Sequence, residues 1–295
     1  MGFDPAPDEL PQRLRLERLV HARVLHAPEE LAGLRRERAA GEEDDARGLI
    51  GGDLDEPIEE LHPGHRGHHQ IADDGVEALV RWRHPTDGLI GPDQFVPLAE
   101  STGLIVSLGN WVLQRACADA ASWPEHIKVA INISAIQFKS GNLFDVILCT
   151  LVETGLRAER LELEITETEI LEDQEAYLAS IRQLKNLGIS IVLDDFGTGY
   201  SSVNYLTVFP FDKIKIDKSY TEGVLKRRDC KAVVSSTLTL AKGLGMLTTA
   251  EGIETEEQLA YMREAGVDLV QGYLLGRPVP LAQLHFQNEN NEMVA

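Results

Sequence analysis

Basic residues are scarce in this sequence. Its 295 residues hold 28 Lys and Arg against 48 Asp and Glu, a formal net charge of −20. Duplex nucleic acid and anionic membranes attract basic surface, so DNA is not an expected partner. An anionic ligand would need local help from a metal ion or a few placed Arg and Lys. Cysteine is scarce as well. Cys117, Cys149 and Cys230 are odd in number, far apart and without metal-type spacing. A reduced, cytoplasmic setting is the expectation. Nothing approaches about eighteen uninterrupted apolar residues, so no membrane insertion by this chain is expected. The N-terminal stretch is acidic, broken by prolines, and lacks the apolar region of a secretory signal. No GxGxxG follows a first strand, which counts against a dinucleotide-binding fold.

What is present divides the chain. Apolar residues make up 43% and charged residues 26%, ordinary for a globular chain long enough to bury a real core. Residues 1–75 contain no Lys, Tyr or Trp and hold six of the nine histidines. They read as an atypical N-terminal segment, partly helical or disordered. The cluster His62, His65, His68 and His69 reads as solvated chain rather than a metal site. Residues 289–295 read as a disordered tail.

From Val76 the text is regular. Strands are expected at 76–82, 127–133, 161–166, 189–194, 213–217, 246–250 and 267–271, with helical patterns between them. Tyr177, Ile181 and Leu184 share one helical face, with Gly188 as its cap. Thr255 and Gln258 form a capping-box pair, and Gly266 ends that helix. Repeated strand–helix alternation predicts a parallel α/β fold, and seven strands in one run favour a TIM (β/α)8-type barrel over 76–288. A barrel of this type needs eight strands and seven are visible, so the first strand is atypical or missing.

The strands carry polar residues on one face. In LELEIT, Glu162, Glu164 and Thr166 oppose Leu161, Leu163 and Ile165. In KIKID, Lys213, Lys215 and Asp217 oppose Ile214 and Ile216. If the apolar faces pack on outer helices, the polar ones point into the barrel, where charge is expensive unless paired or metal-bound. An ion pair between Glu162 and Lys213 would explain the deeper positions. It does not explain Glu77, Glu164, Asp194, Asp195 and Glu251, all near C-terminal strand ends, where barrel active sites are built. Five convergent carboxylates repel one another or take up protons. Hard divalent cations relieve this, and all-oxygen donors, with Asn132 as a neutral one, suit Mg²⁺ or Mn²⁺. Adjacent Asp194 and Asp195 suit two ions and in-line displacement at a phosphodiester.

These residues also carry a resemblance. Glu77-Ala78-Leu79, within VEALVRWRHP, resembles the signature of EAL domains, the bacterial cyclic-di-GMP phosphodiesterases. The likeness continues through PLAESTGLI (97–105), INISAIQF (131–138), LELEITET (161–168), LDDFGTGYSS (193–202), KIKID (213–217), AEGIET (250–255) and QGYLLGRP (271–278). It implies a modified TIM barrel that hydrolyses cyclic-di-GMP to linear pGpG with two Mg²⁺ or Mn²⁺ ions per site. By motif position, Glu77, Asn132, Glu164, Asp194, Asp195 and Glu251 match metal-binding positions. Lys215 matches the residue that orients or deprotonates the attacking water, with Glu251 and Glu77 completing the catalytic set. Arg81, Gln271 and Asp217 fall to substrate binding. Glu167 and Glu254 fall to support of the site and of the loop after Asp195. On its own FGTGYSS reads as a tight turn; the resemblance implies a mobile loop coupling dimer contacts to metal binding, which its glycines would permit. Expected partners are cyclic-di-GMP, a second copy of the chain, and upstream sensor or GGDEF domains in a longer parent protein. The chain departs from the family upstream of Glu77, where LHPGHRGHHQIADDG replaces a strand with a Tyr-Gln-Pro stretch. The competing expectation is therefore a degenerate EAL domain that binds cyclic-di-GMP or a protein without turnover.

Overall fold

The structure is a computed structural model that describes residues 75–84, 86–167, 174–198, 204–284, 286–287 and 293–294. The histidine cluster and residues 61–74 of the stretch upstream of Glu77 lie outside the described residues, as do Gly199–Ser202 of the glycine loop.

Seven parallel strands form one curved sheet: β1 (Gly75–Ala78), β4 (Lys128–Asn132), β5 (Leu161–Thr166), β6 (Ser190–Phe196), β7 (Lys213–Ile216), β8 (Leu247–Ala250) and β9 (Leu269–Val270), in that order across the sheet. This is the strand–helix order expected of a modified TIM-type barrel. The expected strand at 76–82 is broken. It stops at Ala78, and Trp82–His84 (β2) instead pairs antiparallel with Gly88–Ile90 (β3). Trp82 is buried against His84 and Phe95, edge to face, so its ring is anchored in a side hairpin rather than in the barrel wall. Leu79 and Arg81 consequently do not continue the face of Glu77.

Period-2 alternation explains the wall. Leu161, Leu163, Ile165, Ile191, Leu193, Val129, Ile131, Ile214 and Ile216 are fully buried on the outward side of the sheet. Each contributes about 2 kcal/mol by leaving water. The helices meet them with period-3.6 stripes: Leu108, Val112, Leu113 and Ala116 from Ile105–Ala120, and Tyr177, Ile181 and Leu184 from Gln174–Asn186. Cys230, Val234, Thr237 and Ala241 line the buried face of Arg228–Leu244. Helix ends follow the expected chemistry. Gly188 adopts φ 97° after the Tyr177 helix. Thr255 and Gln258 form the reciprocal capping box, and Gly266 closes that helix in the left-handed region.

Among the described residues no strand joins β9 back to β1. The two edges are bridged instead by a side chain: Gln271, just past β9, donates from Nε2 to Glu77 Oε2 at 2.8 Å. Two residues of the expected tail, Met293–Val294, pair antiparallel with Phe286–Gln287. No helix among the described residues is long and apolar enough to cross a membrane.

Candidate active site

The inward faces stack in layers, because residues two apart on a strand point the same way one level higher. In the lower layer, Glu162 of β5 accepts from Lys213 of β7 at 2.6 Å and from Lys128 of β4 at 2.9 Å. Burial alone would raise the Glu162 carboxyl, but the two ammonium groups outweigh it and hold it below its ordinary value. The ion pair anticipated for these deeper positions is present, with Lys128 as a second cation.

The upper layer is built differently. Lys215 Nζ stands at the centre of four carboxylates: Glu251 at 2.7 Å, Glu164 at 3.0 Å, both oxygens of Asp194 at 3.3 Å and Glu77 at 3.6 Å. The lysine is only 2% exposed. These carboxylates come from β1, β5, β6 and the residue after β8, all at carboxyl ends of strands. One cation cannot neutralise four anions, and the titration directions show the imbalance. Burial, then repulsion from Glu77, drives the Glu164 carboxyl well above its usual range against the pull of Lys215. Burial also raises Glu251, to about 8, and raises Asp194. Glu77 goes the other way. Burial pushes it up, but the Lys215 ammonium and hydrogen bonds from Gln271 and Asn132 leave it below its ordinary value. Lys215 loses from burial and gains more from Glu164, Glu77, Asp194 and Glu251, so it holds its proton tightly.

Adjacent strand residues normally face opposite ways, yet Asp194 and Asp195 both belong to the mouth. The sheet register supplies the reason. Leu193 pairs with Ile214 and Phe196 with Ile216, so two residues of β6 stand opposite Lys215 alone. That is a β-bulge. Asp195 sits in it at φ 53°, the one non-glycine residue with positive φ among the described residues. Its carboxyl, raised by burial and by Asp194 to about 6, has an oxygen within 4.8 Å of ligand atoms on Asp194 and Glu251.

The other expected residues surround this centre. Asn132 donates from Nδ2 to Glu77 Oε1 at 2.8 Å. Arg81 follows β1, half-buried; burial lowers its guanidinium from the ordinary value, opposed by Glu77, Tyr273 and Asp93. Asp217 caps the helix Lys218–Gly223, accepting from the Ser219 amide at 3.0 Å. Buried Glu167 accepts the Gly197 amide at 3.1 Å, directly beneath the turn that follows Asp195. Glu254 is exposed, and what it contributes is a backbone N–H donated to Gln258. Two contributors escaped the sequence reading. Tyr220 donates its hydroxyl to the Gly197 carbonyl. Gly272 lets the Gln271 segment lie against Ile253, where an added Cβ would meet backbone atoms at 2.2 Å. A glycine beside a rim residue was the available signal for the second. Nothing local marks Tyr220, since its partner lies 23 residues away.

Fold and site together define a parallel α/β barrel whose mouth gathers acidic side chains around one buried lysine. The EAL domain family matches residues 70–278, and the chain belongs to that family. An uncharacterized signaling protein of Caulobacter vibrioides is 49% identical over 210 residues, covering 71% of this chain and 26% of that protein. MucR of Pseudomonas aeruginosa, a bifunctional diguanylate cyclase/cyclic di-GMP phosphodiesterase, is 44% identical over 214 residues, 71% of this chain and 31% of its own length. The solved PaMucR phosphodiesterase in complex with c-di-GMP superposes with TM-score 0.69 at 42% identity, covering 71% of this chain and 87% of that one. The chain spans about a quarter to a third of the length of the curated relatives it matches.

Proposed function

We propose that this chain is a divalent-metal-dependent phosphodiesterase that hydrolyses cyclic-di-GMP to linear 5′-pGpG. The observation that carries the reading is the set of four carboxylates converging on Lys215 at the carboxyl ends of parallel strands. Its likeness to the PaMucR phosphodiesterase with its bound c-di-GMP supports the substrate class.

The donor set fits hard cations. It is all oxygen, it carries more negative charge than Lys215 balances, and three of its members bring ligand atoms within 4.8 Å of one another. Glu77, Asn132, Glu164, Asp194, Asp195 and Glu251 would hold Mg²⁺ or Mn²⁺, two ions per site. Such ions supply Lewis acidity, lowering the pKa of water and offsetting charge on phosphoryl oxygens. The chain's own groups do the rest. Asn132 and Gln271 fix the Glu77 carboxylate from either side. Lys215 Nζ, at the centre of these carboxylates, would orient the attacking water or take its proton. Arg81 positions a phosphate through its guanidinium, with Gln271 and Asp217 at the same rim. Water adds to phosphorus, the bond to the ribose 3′ oxygen breaks, and the 5′-phosphate stays on the product. Glu167 supports the turn beside Asp195, and Glu254, whose amide donates to Gln258, supports the site through the helix that follows it.

A barrel domain over 76–288, a homodimer in the cytoplasm, and a longer parent carrying sensor or GGDEF domains complete the reading. The short span against MucR, itself bifunctional, supports the last. The deciding experiment incubates the purified chain with cyclic-di-GMP and Mn²⁺ and resolves products by chromatography. Appearance of pGpG supports the enzyme. Saturable binding without product would assign a binding module instead.

A further inference from the structure

Asp195 depends on an unusual backbone. It occupies a bulge at φ 53°, and the next turn residue, Gly197, is at φ 97°. Neither conformation is held by strand pairing, because the ladder to β7 is interrupted between Leu193 and Phe196. Something else must hold the turn. Inside it, Thr198 donates its amide and hydroxyl to the Asp195 carbonyl, at 3.3 and 2.9 Å. From outside, Gly197 is gripped at two points, one on each of its flanking peptide units. Its N–H donates to Glu167 at 3.1 Å, and its carbonyl accepts the Tyr220 hydroxyl. The Tyr220 ring also lies flush on the glycine: a Cβ there would meet Cε2 at 3.0 Å and Cζ at 3.4 Å. Tyr220 stands one turn past Asp217 in the helix that follows β7. It therefore ties the strand end bearing Lys215 to the turn bearing Asp195.

We propose that Tyr220 is a positioning residue for Asp195: its hydroxyl locks the Gly197 carbonyl and so fixes the second carboxylate of the tandem pair at the mouth. The inference rests on the metal-dependent reading above. A part-buried neutral hydrogen bond to a peptide that has no ladder partner is the kind of contact whose loss frees the backbone. Glu167 alone would hold the Phe196–Gly197 peptide and leave the Gly197–Thr198 peptide without an anchor from outside the turn. With both partners, the two peptide units that flank Gly197 are held, and the turn bearing Asp195 is held with them. A displacement of about 1 Å in a reacting or ligating group is enough to cost on the order of a hundredfold in rate.

The test is Tyr220→Phe, which keeps the ring on Gly197 and removes only the hydroxyl. Three measurements are made on the variant and the parent chain. Hydrogen exchange in chelator, with no metal present, reports the turn directly, and the peptide spanning Asp195–Thr198 is expected to exchange faster in the variant. Calorimetric titration with Mn²⁺ is expected to show roughly fivefold weaker binding, the factor one neutral hydrogen bond supplies. Hydrolysis of cyclic-di-GMP is expected to fall at limiting Mn²⁺ and to recover when Mn²⁺ is raised, with KM for the dinucleotide unchanged. A purely structural role would lower the melting temperature without that metal rescue. Unchanged exchange and unchanged Mn²⁺ affinity in the variant would overturn the proposal while leaving the enzyme reading intact. A parent chain that takes up no Mn²⁺ would overturn both.

Discussion

Replacing Lys215 with Met removes the ammonium that four carboxylates share without changing the side-chain length much. The charge it leaves uncompensated must come from solvent as a proton on one more carboxyl. For a glutamate whose ordinary value is 4.5, holding that proton near pH 8 costs about 5 kcal/mol, at ~1.4 kcal/mol per pH unit. Near pH 5.5 the same proton costs ~1 kcal/mol. The variant should therefore be far less stable than the parent at the higher pH and nearly as stable at the lower one. In the parent, Glu164, Glu251 and Asp195 already have raised carboxyl values, so the native state binds more protons than the unfolded chain. Its own stability falls as pH rises from about 4 through the Asp195 value near 6 and the Glu251 value near 8. Lys215, with a raised value, contributes fully across this window and loses its contribution only above the ordinary lysine range. The assay is thermal and urea unfolding of both proteins in chelator at the two pH values. A gap of about 5 kcal/mol corresponds to a melting-temperature difference of roughly 10–20 °C for a domain of this size. A penalty independent of pH would refute the reasoning, because it would show that the carboxylates do not share the Lys215 charge.

Glu77→Ala should abolish turnover and weaken Mn²⁺ binding, measured by product chromatography and calorimetry; full activity in that variant would remove Glu77 from the site. Glu162→Gln should cost about 2 kcal/mol in urea unfolding at neutral pH, because Lys213 and Lys128 lose their shared anion while Lys128 remains partly solvated. That contribution is present above about pH 4.5 and is lost as pH falls through the depressed Glu162 value, so the variant and parent should converge in acid. Its Mn²⁺ affinity should stay within about twofold of the parent, since Glu162 lies one barrel layer below the mouth. Gly272→Ala should destabilise by about 1–3 kcal/mol by forcing a methyl against the Ile253 backbone, and should lower turnover roughly tenfold by moving Gln271 off Glu77.

The sequence alone determined the elements and the inventory of charge. Alternation in LELEIT and KIKID marked which face carries acids and lysines. The pattern of Tyr177, Ile181 and Leu184 marked a buried helical stripe, and Thr255 with Gln258 marked a helix start, all through contacts between near neighbours. Strand ends are also local, so the expectation that carboxylates gather at one mouth could be made from spacing and residue type. The pairing of Glu162 with Lys213 was legible from their depth in the strands. Lys128 as a second cation on Glu162, and the gathering of Glu164 and three other carboxylates on Lys215, were decided only by the tertiary structure, through sheet order and stagger. The break after Ala78 came from burial of Trp82, a tertiary contact that overrides strand propensity. Asp194 and Asp195 reach the same mouth only because the ladder to β7 gains one residue there, which strand period alone forbids. The bond from Gln271 to Glu77 spans 194 residues, across the two edges of the sheet. Local pattern can name the groups, but their meeting depends on chain closure and register, and these are properties of the whole barrel wall.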